Sequence, residues 1–174
     1  MISCGLMLGF TLAAAVTDIW WHKIFNSTVY PGILVGLLMS VVDPQRMVLD
    51  WQDSLAGFGL CAGVMLVTFV MFPSVGGGDV KLVAMMGAFL GLSRGLEGML
   101  WTFVLGAMLG IMQLIWTVGA VQLVRQVLHH LWLTIKYRFV IPLSEKERLT
   151  LQMPLRLAPA AFLAELIVLA DPWR

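Results

Sequence analysis

The chain has 174 residues, of which 60% are hydrophobic and 12% are charged, and its mean hydropathy is +0.91. A soluble domain carries about 25% charged residues, so this composition excludes a water-soluble globular protein. The net charge of +1 argues against nucleic acid as a partner, because proteins that bind nucleic acid usually present a basic patch or stripe. The composition therefore indicates a protein embedded in the lipid bilayer.

Six hydrophobic runs follow one another along the chain. A helix needs about 20 apolar residues to cross a bilayer, so the runs predict an all-α polytopic membrane protein, a compact bundle of about six transmembrane helices. A secretory signal peptide is an alternative interpretation of the first run, but no Lys or Arg precedes it. The predicted spans are residues 2–16, 27–42, 55–72, 80–92, 99–121 and 154–170, within one membrane-embedded domain over residues 1–174.

The distribution of basic residues predicts the orientation, since cytoplasmic loops carry the excess of Lys and Arg. With the N-terminus outside, eight of the eleven basic residues lie on the inner side, and Arg46, Arg94 and Arg174 lie outside. The outer loop at residues 43–53 is acidic instead. The charges therefore predict an N-out, C-out topology.

The longest stretch between spans is residues 122–153, which the topology places on the inner side. Its apolar residues recur at helical spacing, which predicts an amphipathic helix at the membrane interface before the last span. We favour a basic connector bound to anionic headgroups over a docking role. The residues that form the apolar stripe are Val124, Val127, Leu128, Leu131 and Ile135.

Five of the predicted spans contain two glycines that stand four residues apart. Small residues at this spacing let helix backbones approach closely in lipid. We interpret the pairs as packing positions and not as a ligand site. The pairs are Gly5 and Gly9, Gly32 and Gly36, Gly59 and Gly63, Gly87 and Gly91, and Gly106 and Gly110.

Three acidic residues, Asp18, Asp79 and Glu165, have no obvious place in a loop. Ionisable residues in or against a membrane span are costly and by default mark function. Asp18 ends the first predicted span and Asp79 begins the fourth, so the topology places both at cytoplasmic helix ends. Two carboxylates brought close together can act as general base and general acid on a water that attacks a carbonyl. The pair is consistent with peptide hydrolysis of the aspartic type, and ordinary helix caps are the structural alternative.

Three glycines, Gly76, Gly77 and Gly78, precede Asp79. Residues without a side chain permit tight or positive-φ turns and let a substrate backbone come close, which favours the enzymatic interpretation. The segment lacks the features of a phosphate-binding loop, because Walker A requires Lys followed by Ser or Thr and the dinucleotide fingerprint requires a βαβ unit. The span that follows is short, so we expect Asp79 slightly inside the membrane boundary.

The residues that commonly bind metals are dispersed. Cys4 and Cys61 lie far apart in hydrophobic segments, and the sequence has no CxxC motif, which argues against a thiolate zinc site. His129 and His130 are adjacent, whereas histidine ligands on one helix stand four residues apart. We therefore expect no metal and no cofactor.

Two segments resemble those of a known family. Residues 76–79, Gly-Gly-Gly-Asp, fit the GxGD signature of intramembrane-type aspartic proteases. Residues 18–26, Asp-Ile-Trp-Trp-His-Lys-Ile-Phe-Asn, resemble the Asp-led segment that follows the first helix of type IV prepilin peptidases. Together with length and topology, they make the chain similar to the small prepilin peptidase subgroup that serves Tad/Flp-type pili and archaeal preflagellins.

This resemblance implies that Asp18 and Asp79 are the catalytic pair of an enzyme in the prokaryotic cytoplasmic membrane. Its substrates would be prepilin-like precursors, from which it removes a short basic leader at the cytoplasmic face. The sequence departs from the family pattern at Phe25, where proline is usual, and at Glu165, where a small residue is expected. The residues that would bind substrate or shape the site are Gly76, Gly77, Gly78, Lys81, Lys23 and Asn26.

Larger members of the family also carry a cytoplasmic domain with paired CxxC motifs and methylate the new N-terminus. The sequence has no segment for that domain, so we expect a peptidase without methyltransferase activity. One alternative is a small proton- or cation-coupled transporter subunit in which Asp18, Asp79 and Glu165 carry the ions, and another is a noncatalytic scaffold. The gathering of two acids at one face favours the enzyme, and the sequence makes no prediction about homo-oligomers.

Overall fold

The computed structural model describes residues 2–42, 50–72, 75–119 and 157–170, together with residues 125 and 132. These residues form no strand, and the all-helical prediction is confirmed for them. The predicted connector at residues 122–153, the pair His129 and His130, and residues 154–156 of the last predicted span lie outside the described helices. The helices are α1 (Ile2–Trp21), α2 (Asn26–Val42), α3 (Trp51–Met71), α4 (Gly77–Val118) and α5 (Leu157–Ala170).

Three of these helices are long and apolar enough to cross a membrane. They contain the candidate spans Ser3–Trp21, Trp51–Met71 and Gly77–Trp116, and two shorter apolar helices cover Asn26–Val41 and Leu157–Ala170. Much of the apolar surface of the long helices faces outward, which lipid contact explains. The prediction of a membrane protein is therefore supported, while the count of six spans and the orientation stay predictions.

Helix α4 reverses its direction at Gly91, whose φ of 74° and ψ of −169° are not helical. That combination is essentially restricted to glycine. A Cβ on Gly95 would lie 3.1 Å from the Cα of Gly87, whereas eight residues of straight helix span about 12 Å. The predicted spans 80–92 and 99–121 thus meet at a sharp fold-back, and residues 93–98 between them are helical, while the bounds of the two spans stay predictions.

The first turn of α3 binds the backbone groups next to this fold-back. The Leu92 N–H donates to Asp53 Oδ1 at 3.3 Å, and the Ser54 hydroxyl donates to the Ala88 C=O at 2.5 Å. In a continuous helix the N–H of residue 92 would pair with the C=O of residue 88, and here each group has a partner on α3. Helix α3 begins at Trp51, so the last three residues of the predicted outer loop at 43–53 are helical.

The first half of α4 is the centre of the bundle. Every residue from 82 to 91 is buried, and α4 contacts each of the other four helices. Gly57 on α3 lies directly against the backbone of Gly87 and Gly91, so the two helices approach more closely than side chains would allow. The core therefore lies around one central helix that is apolar on all sides.

The glycine pairs differ in whether they pack. Gly32 and Gly36 on α2 contact Met85 and Phe89 of the central helix, as the packing interpretation predicts. Two other pairs make no such contact with the described residues, because their helices turn the glycines away from them. A Cβ would meet nothing within 4 Å at Gly5, Gly9, Gly59 or Gly63.

Candidate functional site

Asp18 lies in the last turn of α1. The helix ends because His22 adopts a φ of 55° and donates its backbone N–H to the Asp18 C=O at 3.1 Å, which is a left-handed C-cap. Helix α1 therefore extends five residues beyond the predicted span at residues 2–16, to Trp21. The Asp18 side chain is only 8% exposed.

Asp79 lies in the first turn of α4 and is 6% exposed. Its Oδ2 accepts a hydrogen bond from the Gly76 N–H at 3.0 Å, and its own N–H donates to the Gly76 C=O at 3.0 Å. This is the carboxylate half of a capping box. The helix-cap interpretation thus accounts for the hydrogen bond between Asp79 and the Gly76 N–H. This hydrogen bond holds the Asp79 carboxyl group at the N-terminus of the central helix.

The fold brings the two carboxyl groups to the same end of the bundle. Asp18 and Asp79 are close enough to interact electrostatically. The loop after α1 packs directly on the segment before Asp79, since the Ile24 Cβ lies 2.9 Å from the position of a Cβ on Gly78. The end of α1 and the start of α4 are therefore in contact, and each contributes one buried carboxyl group.

The three glycines before Asp79 have different surroundings. None of them has a positive φ, so the left-handed turn that glycine permits does not occur there. Gly76 is extended, with φ −81° and ψ 146°. A Cβ on Gly77 would meet nothing within 4 Å, whereas a Cβ on Gly78 would clash with Ile24. Position 78 therefore requires glycine, because the loop that carries Ile24 packs directly on it. Position 77 has room for a side chain.

Lys81 and Asn26, which the resemblance assigns to the site, are in contact. The Lys81 Nζ donates to Asn26 Oδ1 at 2.9 Å and lies 4.9 Å from the centroid of the Tyr30 ring. The contact joins the N-terminal part of α4 to the start of α2. Lys23 is exposed and takes no part in this contact.

Phe25 stands immediately before α2. Its C=O accepts hydrogen bonds from the N–H groups of Thr28 at 3.1 Å and Val29 at 3.4 Å. Phe25 therefore acts as the N-cap residue, because the C=O of that residue accepts the first hydrogen bonds of a helix. Helix α2 therefore begins regularly although Phe25 stands where the family usually has proline.

Sequence reasoning missed two residues of this region. Tyr30 follows Asn26 by four residues, a spacing that places both on one face of a helix, so helical periodicity offered a signal. Ile24 offered none, because its contact with Gly78 joins segments that are far apart in the chain. Among the described residues, no group of three or more His, Cys, Asp or Glu side chains is arranged to hold a metal ion.

Comparison with known proteins adds an independent finding. Residues 5–111 match the sequence model of the type IV leader peptidase family. The match covers more than half of the chain and includes both Asp18 and Asp79, while α5 lies beyond it. A search of the curated proteins and a search of the solved structures found no match.

Proposed function

Because the chain belongs to the type IV leader peptidase family, we propose that it is an aspartic endopeptidase that removes the short basic leader from Flp/Tad-type prepilin precursors. The observation that carries the proposal is the pair of buried carboxyl groups, Asp18 and Asp79, at one end of the bundle. The two groups are close enough to interact electrostatically, as a pair that divides acid and base roles requires.

In the proposed reaction the two carboxyl groups share one proton. The ionised group takes a proton from a water whose oxygen bonds to the scissile carbonyl carbon, and the protonated group donates its proton to the leaving nitrogen as the C–N bond breaks. Oδ2 of Asp79 already accepts a hydrogen bond from the Gly76 N–H. We therefore propose that the water binds the other oxygen of Asp79, Oδ1. Water thus supplies the hydroxyl of the new carboxyl group and passes its other proton to the ionised aspartate, while the protonated aspartate supplies the proton of the new amine, so the pair again holds one proton.

We place the reaction at the cytoplasmic face of the membrane. A basic leader stays on the cytoplasmic side of its hydrophobic helix, by the charge rule that orients membrane proteins. Lys23 and Lys81 lie at the end of the bundle that carries the two acids, and Arg94 follows the fold-back at the other end. The exposed rings of Trp20 and Trp21 beside Asp18 are typical of a membrane interface, which supports a site at that level.

Substitution of each aspartate tests the proposal. The chain is co-expressed with a precursor that carries a leader rich in Lys and Arg, a small residue at the cut and a hydrophobic helix, and processing is followed by gel mobility. Asp18→Asn and Asp79→Asn should each abolish cleavage, because a carboxamide of nearly the same shape exchanges no proton. Asp53→Asn is the matched control, because it makes the same change at the other end of the bundle. The asparagine side chain keeps an oxygen that can accept the hydrogen bond from the Leu92 N–H.

The amount of each variant in the membrane is measured by immunoblot so that loss of protein is not mistaken for loss of activity. Cleavage by both Asp18→Asn and Asp79→Asn would show that the pair is not catalytic. A precursor that the wild type leaves intact, together with proton or cation uptake by vesicles that contain the protein, would favour the transporter alternative.

We further propose that the protein does not methylate the processed N-terminus. The test uses purified protein, processed pilin and S-adenosylmethionine labelled in its methyl group. Incorporation of label would contradict this part of the proposal and leave the peptidase assignment standing. Absence of label beside efficient cleavage is the expected result.

A further inference from the structure

Glu165 on α5 is a buried carboxyl group that the proposed reaction does not use. Its side chain is 0% exposed, and its Oε2 lies 2.6 Å from the Thr11 Oγ1 on α1. Its Oε1 has no hydrogen-bond partner among the described residues. A carboxyl group between apolar helices is costly, so its presence there requires a physical reason.

The hydrogen bonds around Thr11 favour a neutral Glu165. The Thr11 hydroxyl has one proton but also lies 3.0 Å from the Met7 C=O and 3.2 Å from the Leu8 C=O, both of which only accept. An ionised Glu165 would compete with these carbonyls for that proton. A protonated Glu165 donates to Thr11 Oγ1 and frees the Thr11 hydroxyl to donate to Met7, so each of the two hydroxyl protons has an acceptor.

Thr11 and Asp18 lie on the same face of α1. Seven residues separate them, which is about 10 Å along the helix and within about 20° of two full turns. The outer face of α1 is also apolar, and in lipid apolar packing alone does not select one rotation of a helix about its axis. The hydrogen bond from α5 to Thr11 forms at one rotation. The other residues of the buried face are Met7, Ala14 and Ala15.

We propose that Glu165 is a positioning residue, whose neutral carboxyl group binds Thr11 and so holds α1 at the rotation that directs Asp18 toward Asp79. The proposal rests on the function assigned above to the two aspartates. Glu165 itself is remote from the reacting atoms, since its partner stands about two helical turns from Asp18. The residue acts through α1 and not on the substrate.

Kinetics of three variants test this role. With purified protein and precursor, Glu165→Leu should lower kcat by about 100-fold at unchanged KM, because a misplacement of about 1 Å costs on the order of 100-fold. Thr11→Val, which has the same shape without the hydroxyl, should have the same effect. Glu165→Gln should keep the wild-type kcat, since its amide also donates to Thr11. A wild-type kcat for Glu165→Leu, or a loss for Glu165→Gln equal to that of Glu165→Leu, would overturn the proposal.

A second measurement needs no proteolysis. In a background with Cys4→Ala and Cys61→Ala, Asp18→Cys provides a buried thiol whose labelling by N-ethylmaleimide reports the rotation of α1. Labelling should become faster when Glu165→Leu is added and stay unchanged with Glu165→Gln. An unchanged rate with Glu165→Leu overturns the positioning role. A wild type that cleaves no precursor overturns the proposed function instead, so the two failures are distinguishable.

Discussion

Replacing Gly78 with alanine should impair processing, whereas the same replacement at Gly77 should not. A Cβ at position 78 would stand 2.9 Å from Cβ and 3.4 Å from Cδ1 of Ile24. Carbon atoms in contact prefer about 3.5–4.0 Å, so the loop that carries Ile24 must move by about 1 Å. A Cβ at position 77 has open space around it.

The expected magnitudes follow from this displacement. Overpacking by one methyl group typically costs about 1–3 kcal/mol of stability. The effect on activity should be larger, because Ile24 follows Asp18 in the chain and Gly78 directly precedes Asp79, so the clash separates the two carboxyl groups. Since a misplacement of about 1 Å costs on the order of 100-fold in rate, Gly78→Ala should slow processing by about 10- to 100-fold.

The assay is a time course of precursor processing at equal amounts of membrane-inserted protein, with thermal unfolding of each purified variant. Gly77→Ala should match the wild type in both measurements. Adding Ile24→Gly to Gly78→Ala removes the clashing atom and should restore part of the rate. The reasoning is refuted if Gly77→Ala is the slower of the two, or if Gly78→Ala processes the precursor at the wild-type rate.

Three further predictions concern the fold-back and the contact at the start of α2. Gly91→Ala should lower the free energy of unfolding by about 1–3 kcal/mol, because the backbone conformation at residue 91 is strained for any residue except glycine. The control Gly59→Ala should leave the free energy of unfolding unchanged, because a Cβ at position 59 meets nothing within 4 Å. Ser54→Ala should cost about 1–3 kcal/mol in the same measurement, because a buried carbonyl next to the fold-back loses its donor; an unchanged stability would show that this carbonyl finds another partner. Lys81→Met should destabilise by only about 1 kcal/mol, since its bond to Asn26 is exposed, and a much larger loss would contradict this estimate.

The sequence predicted the helical class and placed the two aspartates at helix ends, but several helices end at other residues than the predicted spans, for local reasons. Hydropathy ended the first span at residue 16 because Asp18 is charged, yet the helix continues until the left-handed His22. It also placed a loop at residues 93–98 because of their polar residues, yet the chain reverses at Gly91 alone. A charged residue lowers the hydropathy of a segment but does not end a helix. A single glycine can end a helix although it barely changes the hydropathy.

Length and hydropathy by themselves indicated a helical membrane protein, and the resemblance of the two acidic segments pointed to the leader peptidase family. These are properties of composition and of short segments, so they can be seen before the chain folds. Only the tertiary structure showed that the loop after α1 packs on Gly78 and not on Gly77. It also showed that Gly57 and not Gly59 contacts the central helix, and that Glu165 binds Thr11. Helices in lipid are apolar on all sides, so periodicity does not mark the face that packs, and that face is set by contacts between segments far apart in the chain.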